Sequence, residues 1–321
     1  MSELVLTQQW DTIFEIILNR PDKRNAMNME LIEGLDTAVR TANRTPNIRT
    51  VIIRGEGKAF SAGIDVSNLL GLAQTYGPHW QQRMRGITDD FQAVHTRLER
   101  LEVPTIALLH GYCLGLAMEL ALACDIRIAA EGTQMGLPET RLGIIPDVGG
   151  TTRLTRLVGP ARAKELIFTG RQFDMAYAER WGIVNYVVPE DQLMAKAEEL
   201  AAEINLAAPL AVGMAKRVID GLSDIDRGLM LEGWAQSQLM SSEDFLEGAQ
   251  SFMMKRPSQF KENKMKIGLA LGGGGGTRRG ILGFCKRLER LERASQPHYW
   301  HQHWRLDWRA VCVWAHLQRS G

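Results

Sequence analysis

The chain has 321 residues, of which 45% are hydrophobic and 23% are charged, as in an ordinary globular protein. Its formal net charge of +1 excludes the strong overall positive charge that favours nucleic acid or anionic membranes as partners. The four cysteines form no CxxC pair, no run of eighteen apolar residues occurs, and the first ten residues lack a signal-peptide pattern. We therefore expect a cytoplasmic, reducing location, no transmembrane helix, and no nucleic-acid or membrane partner.

The first half of the chain alternates short β-branched runs with helical patterns, which indicates parallel βαβ units. The runs typical of strands are residues 13–18, 50–54, 103–109 and 125–129. The spacing of apolar residues predicts a helix over 29–42, and the apolar run 114–123 predicts another. Residues 68–100 form a less regular connector. It is either a surface loop with a helix that covers the sheet or the wall of a binding pocket.

Helices dominate from residue 160 onward, which predicts an α/β fold with a helical C-terminal region. The predicted helices are 160–169, 175–181, 190–205, 209–222, 226–240 and a last one that Ser242 caps and that runs to about residue 255. One short strand, 183–188, interrupts them.

Two glutamates lie in unusual surroundings. Glu119 interrupts the apolar run 114–123, and Glu139 follows Pro138 twenty residues later. A carboxylate that leaves water without a partner is costly or takes up a proton. Each acid is therefore either satisfied by hydrogen bonds in a structural role or kept because its altered proton affinity is used.

Three glycine-containing turns accompany these acids, at residues 58–65, 110–116 and 137–150. Glycine permits a sharp turn and brings backbone N–H groups close to a ligand. The first two turns each follow a strand and each precede a predicted helix, whose N-terminus presents free N–H groups. Two such ends at one point would form an oxyanion hole, and acids beside it could move protons next to a polarised carbonyl.

Together these segments resemble the crotonase, or enoyl-CoA hydratase/isomerase, superfamily over about residues 4–264. The resemblance rests on the order and spacing of four motifs, which are Asn19-Arg20-Pro21-Asp22-Lys23-Arg24-Asn25-Ala26-Met27, Ala59-Phe60-Ser61-Ala62-Gly63-Ile64-Asp65, Gly111-Tyr112-Cys113-Leu114-Gly115 and Pro146-Asp147-Val148-Gly149-Gly150-Thr151. It implies a spiral of ββα units, and a trimer or a pair of trimers whose contacts involve the helices after about residue 209. It also implies an acyl-CoA thioester substrate, with no metal and no cofactor beyond the coenzyme A of that substrate.

The resemblance also implies roles for individual residues. The backbone N–H groups of Ile64 and Leu116 would form the oxyanion hole, and Glu119 and Glu139 would be the catalytic carboxylates. Leu116 departs from the pattern, because the family usually has glycine there. Its N–H is retained, but its side chain must point away from the thioester or narrow the pocket. The positions implied to contact the CoA ester are Arg24, Ala26, Ala62, Gly63, Asp65, Val66, Gly115, Pro138 and Leu142.

Three charged positions keep two interpretations each. Asp147 could cap the turn at 149–150 or act as the acid of an isomerase, since related dienoyl-CoA isomerases are expected to carry a carboxylate there. Arg24, with Lys23, could be a solvated turn charge or could bind the CoA phosphates. Asp65 could cap the following helix or shape the adenine site.

The predicted function is the reversible addition of water to a trans-2-enoyl-CoA, in fatty-acid β-oxidation or related acyl-CoA catabolism. The two glutamates would hold one water, and one carboxylate would take a proton from it as it adds to the β-carbon. Two nearby carboxylates should titrate as a pair, one with a raised pKa. The alternatives are an enoyl-CoA or dienoyl-CoA isomerase and a non-catalytic CoA-ester binder.

Residues 266–321 differ in character from residues 1–265, so we predict a boundary near residue 265. This tail has ten basic and three acidic residues, five consecutive glycines and four of the eight tryptophans. Residues 266–276 resemble the start of patatin-like phospholipases, but the Gly-x-Ser-x-Gly turn that such proteins need does not follow. We expect a truncated fusion or a shifted reading frame, with a basic anchor as the alternative.

Overall fold

The computed structural model describes residues 3–67, 71–79, 82, 84–221, 236 and 242–260. The strands are β1 (Val5–Trp10), β2 (Ile13–Leu18), β3 (Thr50–Gly55), β4 (Thr105–Leu109), β5 (Tyr112–Leu114), β6 (Ile126–Ala130), β7 (Gln134–Gly136), β8 (Gln172–Phe173) and β9 (Tyr186–Val188). The α-helices are α1 (Met29–Ala42), α2 (Leu72–Tyr76), α3 (Met84–Glu99), α4 (Leu116–Leu122), α5 (Gly150–Val158), α6 (Pro160–Thr169), α7 (Met175–Arg180), α8 (Leu193–Asn205), α9 (Pro209–Asp220) and α10 (Glu243–Met254). Short 3-10 helices occupy Pro21–Lys23, Pro138–Leu142 and Glu190–Gln192.

The larger sheet has the order β1-β2-β3-β4-β6-β9. Only the β1–β2 pair is antiparallel, and the remaining pairs of this sheet are parallel. Successive residues of β3 face opposite sides, so Val51 and Ile53 join one apolar cluster and Ile52 joins another. Helix α1 contributes to the first cluster and α8 to the second, so helices cover both faces. The predicted α/β class is confirmed.

Helix α1 has the predicted bounds, because both its start and its apolar face are written in the local sequence. The Asn28 side chain accepts a hydrogen bond from the Leu31 N–H at 3.0 Å, which satisfies one free donor of the first turn. Leu31, Leu35 and Val39 recur at helical spacing and are buried.

A smaller sheet has the order β5-β7-β8, with β5 and β7 parallel. Its strand β5 lies directly before α4 in the chain, and the Gly115 N–H between them donates to the Gly136 carbonyl of β7 at 2.9 Å, which helps to set the start of that helix. Its strands have only two or three residues, and β1 of the larger sheet has three consecutive polar residues, so no apolar alternation marked any of the four. These four strands were not predicted.

Several predicted bounds are wrong by a few residues. The strand predicted over 103–109 begins at residue 105, just after Pro104, which has no N–H to donate to a ladder. The strand predicted over 183–188 is only residues 186–188, and the helix predicted from residue 190 begins as a 3-10 turn. Ser242 does cap the last described helix, since its hydroxyl accepts from the Phe245 N–H at 3.1 Å.

Other predictions fall outside the described residues. The helix predicted over 226–240 lies outside the described residues except at residue 236. The predicted boundary near residue 265 and the tail also lie outside them. Those three remain predictions. Within the part of the chain that is described, no helix combines the length and apolarity needed to cross a membrane.

Candidate active site

The first two glycine-containing turns lie against each other. Ser61 and Cys113 form a parallel bridge, and the Leu114 N–H donates to the Ser61 carbonyl at 3.3 Å. Gly63 has a φ of +92°, and a Cβ at this position would lie 2.4 Å from the Leu114 carbonyl oxygen and 3.5 Å from the Leu116 nitrogen. Only glycine permits this approach, which brings the two predicted oxyanion turns together.

Two backbone N–H groups at this junction have no acceptor in the part of the chain that the structure describes. Among the described residues, no acceptor binds the N–H of Ile64 or of Leu116. The chain around Ile64 is fixed, because the Gly63 carbonyl accepts from the Met27 N–H at 2.8 Å and the Met27 carbonyl accepts from the Asp65 N–H at 2.9 Å. Leu116 begins α4, where an N–H has no intrahelical partner.

The Leu116 side chain is packed in protein. It is 4% exposed and belongs to the main apolar cluster, together with its neighbours Ala117 and Met118. Leucine in place of glycine therefore keeps the N–H, and its side chain contributes to the core.

His95 of α3 packs near this turn and was not identified from the sequence. It is 1% exposed, and its Nδ1 lies 3.1 Å from the Phe91 carbonyl oxygen. Burial lowers the pKa of His95 to about 4, while the carbonyls of Phe91 and Leu116 oppose this shift. The imidazole is therefore uncharged at neutral pH.

Glu119 lies on α4, is 2% exposed and points at the third turn. Its Oε1 accepts from the N–H groups of Val148 and Gly150, both at 2.8 Å. Burial raises the pKa of Glu119 to about 8, the negative charges of Glu139 and Asp147 add to the rise, and the two N–H groups oppose it. Two hydrogen bonds thus fix the position of the carboxyl group, while burial favours its protonated form.

Glu139 lies in the 3-10 helix that Pro138 begins, and it is 9% exposed. A Cβ on Gly115, whose φ is +54°, would lie 2.8 Å from the Glu139 Oε1, so this carboxylate lies over the backbone just before Leu116. Its Oε2 is buried and has no hydrogen-bond partner among the described residues. Burial, with the nearby charge of Asp147, raises the pKa of Glu139 to about 7.

No ion pair in the described part of the chain involves either glutamate. Two carboxyl groups that influence each other titrate as a pair, and burial raises the pKa of both toward neutrality. Such a pair can take a proton at one oxygen and give one at another. Nor do any three His, Cys, Asp or Glu side chains of the described residues come together as metal ligands.

Asp147 does not cap the turn at 149–150, because Glu119 binds the Gly150 N–H. Its Oδ2 accepts instead from the Thr88 Oγ1 at 2.7 Å, and its carbonyl accepts from the Gln92 side-chain amide. Thr88 and Gln92 lie four residues apart on α3, inside the connector 68–100, and sequence reasoning did not single them out. Their helical spacing was the only signal.

Arg24 and Asp65, the two charged positions predicted to contact the CoA ester, have partners within the chain. The guanidinium carbon of Arg24 lies 5.6 Å from the centre of the Tyr112 ring. Asp65 accepts from the Ser67 N–H at 3.1 Å and from the Arg20 guanidinium at 2.7 Å. Hydrogen bonds from Ser67 and Arg20 lower the pKa of Asp65 to about 2. Asp65 thus caps the next turn, as one of its two interpretations required.

The remaining predicted contact positions are apolar. Ala26, Ala62 and Pro138 have no polar side-chain atoms, so they can contribute only backbone groups and shape. Val66 and Leu142 are 51% and 59% exposed, which leaves apolar side chains open to a ligand.

The chain is similar to known proteins over most of its length. A family model described as enoyl-CoA hydratase/isomerase matches residues 8–263. The chain is 42% identical over 249 residues to a putative enoyl-CoA hydratase/isomerase, YngF, of Bacillus subtilis, which covers 77% of this chain and 93% of that protein. It is 37% identical over 263 residues to a short-chain-enoyl-CoA hydratase of Clostridium acetobutylicum, over 81% and 98% of the two chains. A crystal structure of enoyl-CoA hydratase from Bacillus anthracis is similar at a TM-score of 0.75 and 38% identity, over 81% of this chain and 100% of that one.

Proposed function

We propose, from the premise that this chain belongs to the enoyl-CoA hydratase/isomerase family, that it catalyses the reversible hydration of a trans-2-enoyl-CoA. One observation carries this choice. Among the described residues, two buried glutamates with no cation paired to them lie beside two backbone N–H groups that no acceptor binds. Hydration needs both parts, because it moves two protons and develops negative charge on a carbonyl oxygen.

In the proposed complex, the thioester oxygen accepts hydrogen bonds from the N–H groups of Ile64 and Leu116. These donors are fixed before the substrate arrives, so they need no reorganisation when the oxygen becomes an enolate. Losing one such donor in other enzymes costs about 3–4 kcal/mol of transition-state stabilisation.

Glu119 and Glu139 hold the reacting water between them in this proposal. One carboxylate takes a proton from the water while the water oxygen bonds to the β-carbon. The electron pair of the double bond moves toward the α-carbon and the thioester oxygen. The other glutamate, as a carboxylic acid, gives its proton to the α-carbon. The pKa values of the pair, raised to about 8 and about 7, support one protonated and one ionised group near neutral pH.

The test is the loss of enoyl absorbance when the protein is mixed with crotonyl-CoA, with longer enoyl-CoA esters used to find the preferred chain length. Glu139→Gln should lower kcat by about 10²- to 10⁴-fold, the usual contribution of general acid–base catalysis. Binding of the saturated butyryl-CoA should change little. Glu131→Gln, at an exposed acid, is the matched control. Near-normal hydration by Glu139→Gln would contradict the proposal.

An isomerase is the second candidate, and Asp147 favours it. Its charge is close enough to raise the pKa of both glutamates, as expected of a third acid at the site. Conversion of a 3-enoyl-CoA to the 2-enoyl isomer without hydration would select this candidate. We do not retain the non-catalytic binder, since it rested on a spoiled oxyanion hole and the Leu116 side chain lies in the core.

We further propose a homotrimer or a pair of trimers, a cytoplasmic location and a role in fatty-acid β-oxidation or a related pathway, with no cofactor. Exposed apolar side chains on the C-terminal helices support assembly, with Ile219 of α9 at 62% and Met254 of α10 at 66% exposure. The buried free thiols of Cys113 and Cys124 support a reducing compartment. Sedimentation analysis tests the assembly, and a monomer active at assay concentration would contradict it.

A further inference from the structure

The turn at residues 146–150 lies between α4 and α3 and makes different hydrogen bonds to each helix. Its N–H groups point to Glu119 on α4, as described above. On its other side, the Thr88 Oγ1 donates to the Asp147 carboxylate at 2.7 Å, and the Gln92 side chain donates to the Asp147 carbonyl. Helix α3 therefore fixes the turn at residues 146–150, and this turn fixes the Glu119 carboxyl group.

Arg153 makes a second attachment between the same two parts. Its Nη1 donates to the Val148 carbonyl at 3.1 Å, while its Nε and Nη2 bind the Glu99 carboxylate at 3.2 and 2.9 Å. The Arg153 side chain is only 12% exposed, so this ion pair is partly shielded from water. Val148 is thus bound on its N–H side by Glu119 and on its carbonyl side by Arg153.

The residues of α3 that make these contacts form one polar stripe. Thr88, Gln92, Thr96 and Glu99 are spaced by four, four and three residues, which places them on one face of the helix. Thr96 also contacts Arg153, through its Oγ1 at 3.4 Å. Partly buried polar groups cost desolvation, and apolar packing would attach the helix equally well. The stripe instead supplies directed hydrogen bonds to one turn.

We propose that Thr88 and Asp147 are positioning residues that hold the Glu119 carboxyl group in place for the water it shares with Glu139. The Thr88 hydroxyl fixes Asp147, and the N–H groups that bind Glu119 belong to the next residue and to Gly150. A shift of the turn therefore moves both donors and the carboxyl group bound to them. This inference rests on the proposed hydration.

Two variants separate the effect of the Asp147 charge from the effect of the position of this residue. Among the described residues, the charges that act on the Glu119 pKa are those of Glu139 and Asp147. Arg153 of α5 binds the Val148 carbonyl of the same turn, and His95 of α3, which lies near Leu116, is uncharged at neutral pH. Asp147→Asn removes one negative charge but keeps an oxygen that accepts from Thr88. Thr88→Val removes the hydroxyl but keeps the charge.

The first arm of the test is the steady-state hydration of crotonyl-CoA by Thr88→Val. We expect kcat to fall about tenfold with KM nearly unchanged, because misplacing a reacting group by a fraction of an ångström is enough for such a loss. Thr88→Ser, which restores the hydroxyl, should recover most of kcat. Asp89→Asn, at the exposed neighbouring position, is the matched control and should behave as the wild type.

The second arm is the pH dependence of kcat. Asp147→Asn should shift the profile toward lower pH, since the lost charge raised the pKa of both glutamates. Thr88→Val should lower the maximum with a smaller shift. Wild-type kcat in Thr88→Val, or a loss that Thr88→Ser does not recover, would overturn the inference while the proposed function stands. A wild-type protein that does not hydrate crotonyl-CoA would overturn both.

Discussion

Two regions of this molecule bury a glutamate, and they treat it differently. Glu15 of β2 is 0% exposed and accepts from the Arg54 guanidinium at 2.7 Å, with the Gln8 amide as a second donor. Glu119 of α4 is 2% exposed and is bound by two backbone N–H groups, with no cation paired to it in the described part of the chain. Among the described residues, the acid within the sheet is paired with a cation and the acid at the candidate site is not.

A buried carboxyl group therefore has a different consequence in each of the two regions. Glu15 and Arg54 form an ion pair, which is a structural link between β2 and β3. Without a cation, burial favours the protonated form and brings the pKa toward neutrality, where an acid can both take and give a proton. The lack of a counter-charge at Glu119 thus argues against a purely structural role.

The strongest test of this comparison makes the same change in both regions. Glu119→Gln should lower kcat for hydration by about 10²- to 10⁴-fold, with a melting temperature equal to or above that of the wild type. Glu15→Gln should keep kcat but lower the free energy of unfolding by about 1–3 kcal/mol, less than a fully buried pair costs because Arg54 is 27% exposed. Steady-state kinetics and denaturant unfolding measure the two effects.

The outcome that breaks the comparison is an exchange of the two phenotypes. If Glu119→Gln were active but unstable, Glu119 would be a satisfied structural acid like Glu15. If Glu15→Gln were stable but inactive, the sheet acid would act on the site from a distance.

Leu116 sharpens the comparison because this one residue has both a structural role and a proposed catalytic role. Its side chain lies in the core, and its N–H is the proposed oxyanion donor. Leu116→Ala should cost about 2–5 kcal/mol of stability, as other buried leucines do, while kcat changes by no more than about threefold because the N–H remains. Leu206→Ala, at a side chain that is 79% exposed, is the control for stability. Loss of kcat without loss of stability would show that the side chain shapes the substrate pocket.

The features that could be predicted from the sequence are those that depend on residues close together in the chain. Helix α1 was predicted with its bounds, because Asn28 and the apolar spacing after it lie within one segment. The acids and glycine turns of the site were found for a similar reason, since each is conspicuous where it stands, and the family resemblance supplied their common purpose.

The missed features depend on partners that are distant in the chain. Strands β5 and β7 are three residues long and exist because they pair with each other. Thr88 is separated by 59 residues from Asp147, which it binds. Polar residues at helical spacing are ordinary on a solvated face, so only the folded chain shows that this stripe meets the turn.

A smaller effect is expected in the pH dependence of stability. The pKa values of Glu119 and Glu139 are raised from the ordinary value of 4.5 to about 8 and about 7, so the folded state binds more protons than the unfolded state between these limits. Stability from these groups is therefore present at low pH and lost as the pH rises through that range. The melting temperature of the double Gln variant relative to the wild type should increase from about pH 5 to about pH 9. Parallel curves would show that the acids are solvated as in the unfolded chain.

The smallest effect is expected from removing residues 266–321, which lie in neither of the two regions compared. The family match ends at residue 263, so kcat and the melting temperature of the truncated protein should equal those of the full chain. Removal changes the net charge from +1 to −6, because the tail carries +7. If the tail is a basic anchor, the full chain should bind anionic vesicles or heparin at low salt, and the truncated protein should not. Loss of activity on truncation would instead mean that the tail contributes to the fold or to the site.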